Sequence, residues 1–157
     1  MRVEQAELIR LLARIHAGLA GMSGLLAEEA ASLQSRDTAA IQSVTARKHA
    51  LADEIDHLTS RQKYLLESIG FSADRPGMEC FLSQINDESG QQLWQELIAM
   101  TAECKHRNEV NGAYLALLAR YVESALDVMM GSPSQGETYD PKGSRRRGAA
   151  SRRSFTV

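Results

Sequence analysis

Aromatic residues are scarce: one Trp, four Tyr and three Phe, 5% of 157 residues. Six Val and seven Ile stand against a large stock of Ala, Leu, Glu, Gln, Arg and Ser, a balance that favours helix and argues against a β-sandwich or barrel. Cysteine is nearly absent as well. Cys80 and Cys104 cannot make a disulfide framework, and neither stands in a Cys-x-x-Cys pair or beside histidines at zinc spacing. Long apolar runs are missing too. The longest uncharged stretch, Ile15 to Ala27, has 13 residues including three glycines, against the roughly 20 that a bilayer span requires. Nothing at the N-terminus reads as a signal peptide. These absences point to a soluble protein of a reducing, cytoplasmic compartment, without stable membrane insertion.

What is present is helix-forming material and an uneven charge. The net charge of −2 combines an acidic body with a basic tail. Residues 131–157 carry Lys142, Arg145, Arg146, Arg147, Arg152 and Arg153 against only Glu137 and Asp140. In the body, apolar residues recur at alternating gaps of four and three. One line runs Leu8, Leu12, Ile15, Leu19, Met22, Leu26 and Leu33, interrupted by Glu29. A second runs Ile41, Val44, Leu51, Ile55, Leu58, Leu65 and Ile69, interrupted by Lys48 and Gln62. A third runs Leu93, Leu97, Met100, Cys104, Tyr114, Leu118, Tyr121, Ala125 and Val128, interrupted by Arg107 and Asn111. This spacing predicts three long amphipathic helices over residues 2–34, 38–69 and 89–130, and no strand-like alternation by two competes with it.

The punctuation agrees. Asp37 is placed to cap the second helix, Gly70 to stop it, and Gly131 with Ser132-Pro133 to stop the last. A turn-rich link from Phe71 to Gly77 precedes a short helix around Met78 to Ile85. The fold class is therefore all-α: an elongated antiparallel bundle of three long helices, a short extra helix and a flexible C-terminal tail, with 1–130 as the helical domain and 131–157 as the tail. Pairing the helices from the short turn near Arg36 brings Glu29, Lys48, Arg107 and Asn111 within about two turns of one another, a polar layer that would fix register. The same register leaves the last ten residues of the third rod, rich in apolar groups and Met, projecting past the hairpin. Such an end suits adaptable binding of a partner helix.

Few constellations suggest chemistry. Glu54-x-x-His57 and Glu103-x-x-His106 imitate half of a di-iron site, but the heptad phase turns both histidines outward and only one further long helix remains to supply the inward carboxylates. His16 and His49 are isolated on helix surfaces. Gly18, Gly21 and Gly24 lie inside a helix, without the strand or lysine of a phosphate loop. No catalytic residue, metal ligand or cofactor site is expected, and the chain does not read as an enzyme. The glycines either loosen the first helix or let another helix approach it closely. Five arginines without interleaved aromatics, on an acidic body, make a weak nucleic-acid signal; a coiled-coil structural or nucleic-acid-associated protein acting through that tail is the alternative reading. Tyr139 is an isolated aromatic anchor in the tail.

Two stretches bear a family resemblance. Trp94…Cys104-x-x-x-Asn108-x-x-Asn111-Gly112 lies in the last helix, and Tyr139-Asp140-Pro141-Lys142-Gly143 opens the basic tail. With the Lys48-containing second helix and the chain length, their order resembles the FlgN family of flagellar export chaperones, over nearly the whole chain. The resemblance implies a cytosolic chaperone without ATPase activity. Its clients would be the hook-associated proteins FlgK and FlgL, kept unpolymerised and delivered to the type III export gate. It places client binding toward the C-terminal part of the chaperone, and it associates the tail tyrosine, here Tyr139, with the gate protein FlhA. Combined with the projecting helix end, it assigns client binding to Tyr114, Leu118, Tyr121, Val122, Ala125, Val128 and Met129. A homodimer through the exposed seam is compatible with this reading; nucleic-acid binding is not expected from it.

Overall fold

A computed structural model describes residues 2–130 of the chain. The sequence expectations for residues 131–157, namely a basic tail carrying Tyr139, lie outside the described residues. The described part is all helix: α1 Arg2–Ser35, α2 Thr38–Ser68, α3 Arg75–Gln84 and α4 Glu88–Met129, with no strand among the described residues. The three long helices begin and end within one residue of the periodicity-based bounds, because the same turn chemistry that the sequence advertises closes them.

Three αL residues make the joints. Arg36 (φ 55), Gly70 (φ 91) and Asn86 (φ 53) each follow a helix. Behind each, the next amide reaches back five residues: Asp37 N–H to the Ser32 carbonyl at 3.1 Å, Phe71 to Leu66 at 3.1 Å, and Asp87 to Leu82 at 3.3 Å. These are Schellman closures, which satisfy carbonyls left over at a helix end. Aspartate then opens the next helix. Asp37 accepts from the Ala40 N–H at 3.0 Å, Asp74 from Gly77 at 2.9 Å and Asp87 from Gly90 at 2.9 Å. Two of the joints are thus very short, Arg36-Asp37 with two residues and Ile85-Asn86-Asp87 with three.

The described residues divide into two units, residues 2–117 and 118–130. In the first, α1 and α2 form an antiparallel hairpin. Its ion pairs run in opposite order along the two helices: Glu7–Arg61 at 3.0 Å, Arg14–Glu54 at 3.8 Å and Glu28–Arg47 at 2.7 Å. The glycines of α1 divide by this pairing. A Cβ on Gly18 would stand 2.9 Å from Ile55 Cγ1 and one on Gly21 3.3 Å from Leu51 Cδ2, so α2 does approach closely there, whereas Gly24 has nothing within 4 Å.

Contacts between α4 and α1 ascend together along both helices, from His16–Glu96 at 3.5 Å, through Cys104 Sγ and the Leu19 carbonyl at 3.7 Å, to Asn111 and the Leu26 carbonyl at 2.9 Å. The buried residues of α4 are Gly90, Leu97, Cys104 and Asn111, one per heptad. Cys104 is the small buried group that its seam position implies; burial pushes its thiol pKa up, with Arg107 lowering and Glu103 raising it to lesser extents. Gln62, one of the residues that interrupts the seam of α2, is buried with it.

The short helix contributes more than its length suggests. Met78, Phe81 and Leu82 have no exposed surface, and Phe71 meets Phe81 edge-on at 5.6 Å and 76°. Burying one such side chain is worth about 1.5–3 kcal/mol, so these three residues anchor the link between α2 and α4. Gly77 is required for it, since a Cβ there would collide with the Ser72 carbonyl oxygen.

Candidate functional site

Two features of α4 stand out, a polar cluster in the first unit and, in the second, a run of apolar side chains exposed among the described residues. In the first, Glu29 of α1 and Lys48 of α2 form an ion pair of 2.8 Å whose side chains are 9% and 16% exposed. Lys48 Nζ also donates to the second Glu29 oxygen at 2.9 Å and to Asn108 Oδ1 at 3.0 Å. From α4, Asn111 Nδ2 donates to Glu29 Oε2 at 3.0 Å and to the Leu26 carbonyl at 2.9 Å. Every charge taken out of water is thereby matched by an opposite charge and hydrogen bonds, the condition under which such a cluster is tolerated.

The expected polar layer therefore exists, with one exchange of members. Arg107 is not in it. It is exposed and pairs with Glu103 one turn back, at 2.6 Å. Asn108 takes its place because the long Lys48 side chain reaches one position off the seam. The Asn-x-x-Asn spacing carried that signal: residues three apart share a helix face, so both asparagines can meet the same pair. Gly112, the third residue of the motif, is exposed with nothing within 4 Å of a Cβ. The layer falls between a contiguous core that includes Leu19, Leu26, Leu58 and Cys104, and the buried residues Leu33 and Val44.

After Asn111 no residue of α4 is fully buried. In the first unit Tyr114 is 37% exposed and Leu115 and Leu117 about half. In the second, Leu118 is half-buried and Ala125 exposed, while Tyr121, Val122, Val128 and Met129 are 74%, 60%, 77% and 82% exposed. All seven residues assigned to client binding thus lie on one continuous helix, and six of them are exposed. Leu126, part of the projecting apolar end but not of the seven assigned residues, is 48% exposed on the same helix. Apolar surface of this density on consecutive helical turns is characteristic of an interaction site.

The remaining candidates take ordinary surface positions. His57 and His106 are exposed, and the carboxylates that precede them engage arginines, Glu54 with Arg14 and Glu103 with Arg107. Among the described residues, no three His, Cys, Asp or Glu side chains come together as metal ligands. No helix among them is long and apolar enough to cross a membrane. An open groove of about 440 Å³ lies between α3 and the start of α4, lined in part by Glu79, Ser83, Gln91 and Trp94. The buried Trp94 Nε1 has no hydrogen-bond partner among the described residues.

Comparison with known proteins gives one match. No curated protein and no solved structure matches the chain. The FlgN protein family model matches residues 1–147, which takes in all four helices and reaches past Tyr139. With the match covering nearly the whole chain, and the Asn108-x-x-Asn111 pair accounted for by the cluster it makes with Glu29 and Lys48, the chain belongs to the FlgN family of flagellar export chaperones.

Proposed function

We propose that this chaperone receives the C-terminal helical segments of the hook-associated proteins FlgK and FlgL on α4, through Tyr114, Leu118, Tyr121, Val122, Ala125, Val128 and Met129. The observation that carries the reading is the exposure of large apolar side chains over consecutive turns of that helix. A client segment that is disordered alone would fold on this surface, burying its own apolar stripe at about 25 cal/mol per Å² before ordering costs. Its polymerisation surface is then masked until export. Tyr139 serves as the contact for the gate protein FlhA, so the tail presents the loaded chaperone to the export machinery. The site of action is the cytoplasm, and the role calls for neither a catalytic residue nor a cofactor.

The test separates the two tasks. Replacing Tyr121, Val128 and Met129 with Ser removes three side chains, each worth about 1.5–3 kcal/mol when fully buried. Calorimetric affinity for FlgK should fall at least a hundredfold, while circular dichroism of the free chain stays unchanged. Deleting residues 131–157 should leave FlgK affinity within a few-fold and weaken FlhA binding to the loaded complex. Unchanged FlgK affinity in the triple variant would place the client elsewhere.

A further inference from the structure

The angular layout of the second unit constrains what can cover it. At about 100° per residue, Arg120, Glu123, Ser124 and Asp127 fall within one arc of roughly 100°. The other side is apolar over about 160°, from Val128 and Tyr121 at one edge, through Leu118 and Met129, to Val122 and Leu126 at the other. Both edges are open to solvent: Tyr121 is 74% exposed and Leu126 48%.

A helix that meets a single neighbour needs far less. The seam of a two-stranded coil is narrower than the roughly 100° stripe of an ordinary amphipathic helix. In the first unit the apolar side of α4 spans a comparable arc, with Leu97 and Cys104 buried, Leu93, Trp94 and Met100 packed partly buried against the core and Ile98 half-buried, and two helices contact α4 there: α1 through Leu26 and Glu29, and α2 through Lys48. Residues 118–129 present an apolar arc of similar width that is exposed among the described residues.

We infer that the client element received by residues 118–129 is a pair of amphipathic helices packed side by side, one along the Tyr121–Val128 edge and one along the Val122–Leu126 edge. The inference rests on the proposed client-binding role of this segment. One docked helix would leave either edge in water. Two cover the full arc and leave Arg120, Glu123 and Asp127 facing solvent. A second copy of this chain fits the width less well, since it offers one such helix and the two ends would each keep an uncovered edge.

The experiment sets the two edges against each other. Tyr121→Ser and Leu126→Ser alter exposed positions roughly 140° apart around the helix, so each leaves the fold intact. Affinities of the full-length variants for purified FlgK, and for a synthetic peptide of its last amphipathic helix, are measured by calorimetry, with sedimentation of the free chain in parallel. Each single variant should weaken FlgK about tenfold and the pair about a hundredfold, while the peptide binds more weakly than FlgK and responds to one edge alone. If FlgK itself responds to only one edge, or the peptide matches its affinity, a single helix is the occupant and the inference fails although the client role stands. If FlgK binds but ignores both edges, the client lies elsewhere and the inference fails. A dimer of the free chain that either substitution dissociates identifies a second copy as the occupant. Absence of FlgK binding to the unaltered chain removes the client role and the inference together.

Discussion

Replacing Lys48 with Met should be among the more damaging single changes available on α2. The ammonium group has three partners, two Glu29 oxygens and Asn108. Without it Glu29 keeps a buried charge with only the Asn111 amide still donating to it. Breaking a buried pair by removing one partner costs about 3–5 kcal/mol, and the residual exposure of this pair, 9% and 16%, argues for about 3 kcal/mol. For a chain of this size each kcal/mol moves the thermal midpoint by about 3 °C, so Lys48→Met should lower it by roughly 10 °C. An internal control lies one residue away. Arg47 and Glu28 are as close, 2.7 Å against 2.8 Å, but their side chains are 56% and 49% exposed. That pair is screened by water, and Arg47→Met should cost no more than about 1 kcal/mol. Adding Glu29→Leu to Lys48→Met removes the stranded carboxylate and should recover most of the loss. Thermal unfolding followed at a helical signal measures all four proteins. Equal shifts for Lys48→Met and Arg47→Met would refute the claim that desolvation, and not distance, sets the strength of the layer.

Three further outcomes are expected. Arg36 holds φ 55 without the freedom of glycine, so Arg36→Gly should raise stability by up to about 1 kcal/mol in denaturant titration, and a loss would show that the Arg36 side chain compensates the strain. Gly24→Ala should stabilise α1 by up to about 1 kcal/mol, since nothing lies within 4 Å, whereas Gly77→Ala should destabilise because its Cβ meets Ser72; matching signs for the two would contradict the packing described. A thiol reagent should label Cys80 in the native chain and reach Cys104 only on unfolding. Because the folded Cys104 thiol is held above its ordinary value of 9.0, its contribution to stability is intact below that pH and is lost as pH rises toward the raised value, which a Cys104→Ser comparison of alkaline unfolding detects.

The long helices could be read from the sequence because their seams repeat every three or four residues over many turns, and their ends carry the residues that close and cap helices. Glu29, Lys48 and Asn111 were readable as a layer because they interrupt those seams at compatible levels. Arg107 was misplaced for a local reason: Glu103 lies one turn back on its own helix and holds it at the surface, and the reach of Lys48 toward Asn108 depends on side-chain length, which periodicity does not encode. The importance of α3 was also hidden. Ten residues containing Pro76 and Gly77 give too short a window for periodicity, and the complete burial of Met78, Phe81 and Leu82 depends on how the link folds back.

The short joints impose a rule on how such a chain can change over generations. Arg36-Asp37 and Ile85-Asn86-Asp87 leave little slack, so a residue gained in α1 rotates every later side chain of that helix by about 100° and must be balanced by compensating changes in its neighbours. Past Asn111, where no residue is fully enclosed, turns can be added, lost or rewritten without such debts to the hairpin. Drift in cargo preference should therefore collect at one terminus of a single helix, while the rest of the scaffold keeps its dimensions.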